Sequence, residues 1–231
     1  MIPENLETVK NRIAEAARKG NRDPASIRLV VVTKTVSVEK IIQAHNAGAA
    51  LFGENRIQEA LEKIHRLGRE KFHWHFIGHL QRNKVKYLSG FFELIHSVDS
   101  ILLAQAIHKK SLEEGRVTPI LIQVNVSGET SKFGLAPGQL EETLRTVSRF
   151  GGIRVEGFMT IPPFDPDPEK SRKYFVQLRD LRDRHANLGI PGISLKELSM
   201  GMSHDFTVAV EEGATLVRVG TAIFGERTAP P

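Results

Sequence analysis

LVVVTKTVS, Leu29 to Ser37, runs four aliphatic residues together, reaches Lys34 between two threonines, and then turns polar. An apolar run of this length, rich in β-branched valine, reads as a strand covered on both faces, the condition of strands in a parallel sheet flanked by helices. Ser37 then stands as the cap of a helix over 38–47, with Gly48 as its stop. Strand, short turn and helix make a βα unit, and Lys34 falls at the C-terminal end of its strand.

The same alternation continues along the chain. Runs rich in β-branched or aromatic residues recur as IRLVVVTK, AALFGEN, FHWHFIG, FELIHSV, TPILIQVN, IRVEGFMT, LKELSMG and TLVRVGT, eight in all. Between them, apolar spacing and capping residues predict helices over 57–67, 83–88, 100–114, 139–150, 168–187 and 205–212. In the 168–187 helix, Asp167 is the cap and Phe175, Leu178, Leu181 and Leu188 face one way. A further helix precedes the first strand, with Leu6, Val9, Ile13, Ala16 and Ala17 on one stripe. An open doubly wound sheet usually has fewer strands. Eight units without a linker or a break in composition therefore favour an α/β fold of the TIM-barrel kind, a single (β/α)8 barrel with an extra N-terminal helix. The expected organisation is one domain over 1–231: a helix and lead-in at 1–27, the barrel at 28–224 and a tail at 225–231.

Bulk composition narrows the function. With 231 residues, 40% hydrophobic and 26% charged, the chain can build one substantial core. The 32 Lys and Arg against 27 Asp and Glu leave a net charge of +5 that is spread along the sequence, which disfavours a nucleic-acid binder. The basic QRNKVK reads as a solvated helix start. The absence of cysteine excludes a disulfide framework, a thiolate metal site and a cysteine nucleophile. The N-terminal stretch lacks the apolar core of a secretory signal, and no segment approaches the roughly 20 apolar residues of a membrane span, so a cytoplasmic protein is expected.

Chemistry in such barrels sits at the C-terminal strand ends. Those positions hold Lys34, Asn55, Gly78 and His79, Ser97, Asn125, Met159 and Thr160, Met200 to Ser203, and Gly220 with Thr221. SMGMS and VGT are glycine- and hydroxyl-bearing turns after strands seven and eight, where barrels commonly cradle a phosphate with backbone N–H groups; the plainer alternative is two tight turns. Strand periodicity turns Arg218 inward, where its guanidinium needs an acceptor: a carboxylate such as Glu156 or Glu197, or a ligand atom. A desolvated lysine near a cation is a nucleophile toward carbonyls, so a phosphorylated aldehyde would satisfy Lys34, Arg218 and the cradle together.

The motifs VVTKTVS, FGENRIQEA, WHFIGHLQRNK, ELSMGMSHDF and VRVGTAIFG, in that order, resemble those of the pyridoxal 5′-phosphate homeostasis proteins, whose barrel is similar to that of alanine racemase, the type III fold of pyridoxal phosphate proteins. The resemblance spans nearly the whole chain. It implies pyridoxal 5′-phosphate as cofactor, bound as a Schiff base on Lys34, with Ser203, Gly220 and Thr221 holding the phosphate and Arg218 facing the pyridine nitrogen. Asn55, His79 and Met200 would line the ring pocket. An arginine at the ring nitrogen disfavours its protonation and limits carbanion chemistry.

The racemase reading requires a tyrosine base from an additional domain. Tyr87 and Tyr174 both fall in predicted helices, and only ten residues follow Thr221. The expectation is therefore a monomeric carrier acting in vitamin B6 and amino-acid homeostasis, with apo pyridoxal phosphate enzymes as possible recipients and no turnover. A weak racemase or decarboxylase is the second reading. A metal-dependent hydrolase is the third, resting on His73, His75 and His79, although no aspartate cluster accompanies them. Lys132, in SGETSKFG on the same face, is a further candidate for carrying the aldehyde, against the plainer reading of a solvated loop lysine.

Overall fold

A computed structural model describes residues 1–68, 70–88 and 90–226. Eight parallel strands close into a barrel in sequence order: β1 (Arg28–Val32), β2 (Leu51–Glu54), β3 (His73–Phe76), β4 (Leu94–Val98), β5 (Thr118–Gln123), β6 (Ile153–Met159), β7 (Ile193–Met202) and β8 (Leu216–Val219). β1 pairs with β2 on one side and with β8 on the other, Val30 lying opposite Arg218. All eight expected strands are present.

Alternation along each strand sorts the side chains into two layers. Val30, Leu94, Leu121, Met159 and Leu216 fill the barrel interior. The opposite set, including Val31, Phe52, Trp74, Val217 and Val219, packs outward against the helices. Gly53 faces inward, where a Cβ would come within 2.8 Å of Val30 Cγ1, so the interior closes over a bare backbone there.

The outer ring comprises α2 (Val38–Asn46), α3 (Ile57–Leu67), α4 (Ile101–Glu113), α5 (Leu140–Val147), α6 (Arg172–Ala186), α7 (Phe206–Glu211) and the short α8 (Thr221–Phe224). Ser37 and Ser100 accept hydrogen bonds as caps of α2 and α4. Several expectations change, the helix expected over 139–150 among them, since α5 is Leu140–Val147. The segment after β3 is a 3-10 helix, Arg82–Tyr87, and α6 begins at Arg172 after a 3-10 turn, Pro168–Ser171, capped by Asp167. Leu188 lies beyond the end of α6 and is exposed; His185 takes the last buried position of that face. Of the expected tail, 227–231 lies outside the described residues.

The N-terminal α1 (Ile2–Lys19) closes the ring beside α7 and α8, burying the predicted stripe Leu6, Val9, Ile13, Ala16 and Ala17. Asn5 Nδ2 donates to Ile223 O at 3.0 Å, and Arg22 Nη1 donates to Val210 O and Ala214 O at 2.8 and 2.7 Å. These bonds tie the lead-in to the end of the barrel, across the seam where β8 meets β1.

Candidate functional site

The mouth formed by the C-terminal strand ends encloses a cavity of about 470 Å³. Seven of the eight predicted residues line it: Lys34, Asn55, His79, Ser203, Arg218, Gly220 and Thr221. Met200 does not. It is fully buried in the outer layer between barrel and helices, while Met202 lines the cavity instead. The cause is local: Ser199 pairs with Leu216 and Met202 with Arg218, so three steps along β7 match two along β8, and Gly201 takes up the irregularity at φ +88°. A Cβ on Gly201 would meet Ala209 Cβ at 2.5 Å.

Arg218 points into the barrel, as periodicity required, but its acceptors are neither expected carboxylate. Nη1 donates to Ser199 Oγ at 2.5 Å and Nη2 to Thr160 O at 2.9 Å. Glu197 pairs with Arg28, and Glu156 with Arg154, both toward the barrel floor. Burial pulls the Arg218 pKa down to about 10, which leaves it a cation at neutral pH.

Behind Arg218 a hydrogen-bonded chain enters the interior. His96 Nδ1 lies 2.8 Å from Ser199 Oγ, and His96 Nε2 lies 2.9 Å from His75 Nδ1. Burial pushes the pKa of His75 down to about 3 and that of His96 well below the usual histidine range, so both rings are neutral. Each neutral ring has one donor and one acceptor nitrogen, so the chain runs in a single direction. This pairing accounts for His75. His73 lies at the exposed floor with Glu93, and His79 at the mouth, so the three histidines do not converge. Among the described residues no group of three His, Asp or Glu side chains is placed to hold a metal ion.

Across the mouth, Ser203 Oγ accepts from Gly220 N–H at 3.2 Å and from Ala222 N–H at 3.3 Å, joining the turn after β7 to the turn after β8. Gly220 has φ −127°, outside the left-handed region that favours glycine. Asn55 Oδ1 is buried without a hydrogen-bond partner. The β2 and β3 ends approach so closely that a Cβ on Gly78 would lie 2.1 Å from Asn55 O.

Several lining residues escaped the sequence reading: Ile77, Phe133, Ile161 and His204; Met202 stood among the strand-end positions but was not assigned to the pocket. Phe133 stacks on His79, ring centroids 3.9 Å apart, and His79 Nδ1 lies 3.5 Å from Asp99 Oδ2. A long loop places Phe133 there, and strand periodicity carries no signal for it. Lys132, its neighbour, is half-buried and does not line the cavity. Neither Tyr87 nor Tyr174 lines it.

Also missed was Lys63. Its Nζ donates to Thr33 O at 2.7 Å, Glu54 Oε1 at 2.7 Å and Glu59 Oε1 at 2.6 Å, exhausting the three donors of an ammonium. Thr33 Oγ1 donates to Glu54 Oε1 at 2.6 Å, and Thr35 N–H to Glu59 Oε1 at 2.5 Å. The i, i+4 spacing of Glu59 and Lys63 on α3 was legible, but it signals an ordinary surface pair.

A second cavity, about 430 Å³, lies under α1 and is mostly apolar. Its cations are engaged: Lys10 Nζ donates to Ala47 O and Gly48 O, and Arg28 pairs with Glu197. The convergent polar groups are at the mouth.

The family described as "Alanine racemase, N-terminal domain" matches residues 5–228. A curated relative from Aquifex aeolicus, the "Pyridoxal phosphate homeostasis protein", is 46% identical over 227 residues, 97% of each chain. The structure of PipY from Synechococcus elongatus, described with PLP bound, is 34% identical and superposes with a TM-score of 0.85 over 97% of this chain and 100% of that one. Alanine racemase of Clostridium difficile shares the fold at a TM-score of 0.71 and 17% identity, with 98% of this chain aligned to 58% of that one. By its sequence and its fold, the chain belongs to the alanine racemase N-terminal domain family and, within it, to the pyridoxal phosphate homeostasis proteins.

Proposed function

We propose that this protein binds pyridoxal 5′-phosphate in the mouth cavity and holds it through Lys34 as a carrier in vitamin B6 and amino-acid homeostasis. The observation that carries the reading is convergence: Lys34, Arg218, Ser203, Gly220 and Thr221, from the neighbouring ends of β1, β8 and β7, line one cavity. Its volume of about 470 Å³ lies within the roughly 300–1,000 Å³ of small-ligand sites. The donor set suits the cofactor. Backbone N–H groups of Gly220 and Ala222 already serve an oxygen, that of Ser203, and suit phosphate oxygens equally. Asn55 Oδ1 offers a buried acceptor still to be matched. The relatives named for pyridoxal phosphate, and PipY described with it bound, support the same ligand.

When bound, the cofactor supplies an aldehyde. Lys34, whose side chain lines the cavity, would hold it there through its amine. Arg218, a buried cation on the cavity wall, would face the ring nitrogen and disfavour its protonation, which would favour storage over carbanion chemistry. The apolar Ile77, Ile161 and Met202 on the cavity wall would limit water around a bound cofactor. We further assign the chain as one domain, monomeric and cytoplasmic, with apo pyridoxal phosphate enzymes as recipients. Among the described residues no helix is long and apolar enough to cross a membrane, which accords with that assignment.

His79 and His204 on the cavity wall favour one second reading, a weak racemase or decarboxylase, because an imidazole there is a possible acid or base. Loading the protein with pyridoxal phosphate should give near-visible absorbance. Incubation with a panel of amino acids, followed by chiral and amine analysis, should then yield no racemised or decarboxylated product. A protein that cannot be loaded overturns the cofactor reading. Product formed with multiple turnovers replaces the carrier by the enzyme.

A further inference from the structure

Lys34 sits in an unusual turn. Val36 N–H donates to Thr33 O at 2.9 Å, closing a four-residue turn with Lys34 second and Thr35 third. Thr35 has φ +58°. A positive φ at the third position of a turn is the province of glycine or asparagine, and for a β-branched residue it is a strained conformation. Strain of this kind persists only where the surroundings enforce it.

The enforcing groups come from β2 and α3. Glu59 Oε1 accepts the Thr35 N–H, while Glu54 Oε1 accepts the Thr33 hydroxyl. Lys63 Nζ binds both carboxylates and the Thr33 carbonyl. Both flanks of Lys34 are thus tied to one buried ammonium. Glu54 and Lys63 are buried, and the cluster does not line the cavity. Its place in the fold is behind the turn, outside the lining of the mouth cavity.

We propose that Glu59, Lys63 and Glu54 are positioning residues that fix the Thr33–Val36 turn so that the Lys34 amine is presented to the mouth cavity. The inference rests on the reading that Lys34 carries the cofactor. The clamp sets the geometry of the covalent link and leaves the phosphate cradle, on β7 and β8, untouched.

The test compares two ligands: pyridoxal 5′-phosphate, and 4-deoxypyridoxine 5′-phosphate, whose methyl group cannot form the link. In the wild type the aldehyde binds tighter, and Lys34→Ala removes the difference; equal affinities in the wild type would defeat the underlying reading itself. Glu59→Ala removes the acceptor of Thr35 N–H, so it should weaken the aldehyde by about tenfold and leave the deoxy ligand within about twofold. Glu59→Gln keeps an acceptor oxygen and should restore most of the loss. The absorbance of the loaded Glu59→Ala protein should also titrate at a different pH. An aldehyde preference unchanged in Glu59→Ala overturns the positioning role. Equal weakening of both ligands also overturns it, assigning the clamp to general pocket stability.

Discussion

Two buried polar clusters support the mouth of this barrel, and they are built on opposite principles. Behind Lys34 the cluster is ionic: Lys63 in direct contact with two carboxylates, Glu54 and Glu59, every ammonium donor used. Behind Arg218 it is neutral: a hydroxyl and two uncharged imidazoles in a one-way chain. The difference follows from what each must hold. A strained backbone turn is fixed by many short bonds from paired charges. A guanidinium that is to meet a ligand needs acceptors that do not neutralise it, and Ser199 and Thr160 supply them without a carboxylate.

The comparison breaks most visibly at Lys63. Lys63→Met leaves Glu54 buried without its counter-charge, and urea unfolding should show a loss of about 3–5 kcal/mol. The pH dependence of stability should separate the clusters by sign. The unfolded chain protonates His75 near the ordinary value of 6.5, whereas the folded chain resists to about 3. Stability should therefore fall with acid through that window, by about 1.4 kcal/mol per pH unit for His75, or about 2 kcal/mol between pH 6.5 and 5. His96, shifted the same way, steepens the slope. Glu54 works oppositely. Burial raises its pKa, so the folded state takes that proton first and acid relieves the ionic cluster between its folded value and about 4.5. A His75→Gln variant should flatten the slope above pH 5 in denaturation curves. A flat wild-type profile would deny that the histidines are buried neutral. Smallest is Thr33→Val, which removes one hydroxyl bond to Glu54 while Lys63 remains, at a cost of about 1 kcal/mol in the same assay.

The barrel was legible because its signal is repeated: eight strand-like runs, several of them near-continuously apolar, alternate with helical segments, a pattern that admits few other closures. The site was legible where it lies on strands, since period two sends Arg218 inward and strand ends present Lys34 and Asn55. It failed at Met200, where Gly201 breaks that period, and at Phe133, which a loop delivers. The acceptors of Arg218 were misread because carboxylates are the usual partners, and Ser199, on the neighbouring β7, carries no charge signal. Both supporting clusters join residues distant in sequence, Thr33 with Lys63 and His96 with Ser199, and only the closed barrel brings them together.

The central claim is that Lys34 holds the cofactor, and borohydride reduction of the protein loaded with pyridoxal phosphate tests it directly. Peptide mapping by mass should place the reduced pyridoxyl group on Lys34 alone, with no stable label in Lys34→Ala. Label on Lys132 or any other lysine, with Lys34 unmodified, would contradict the account.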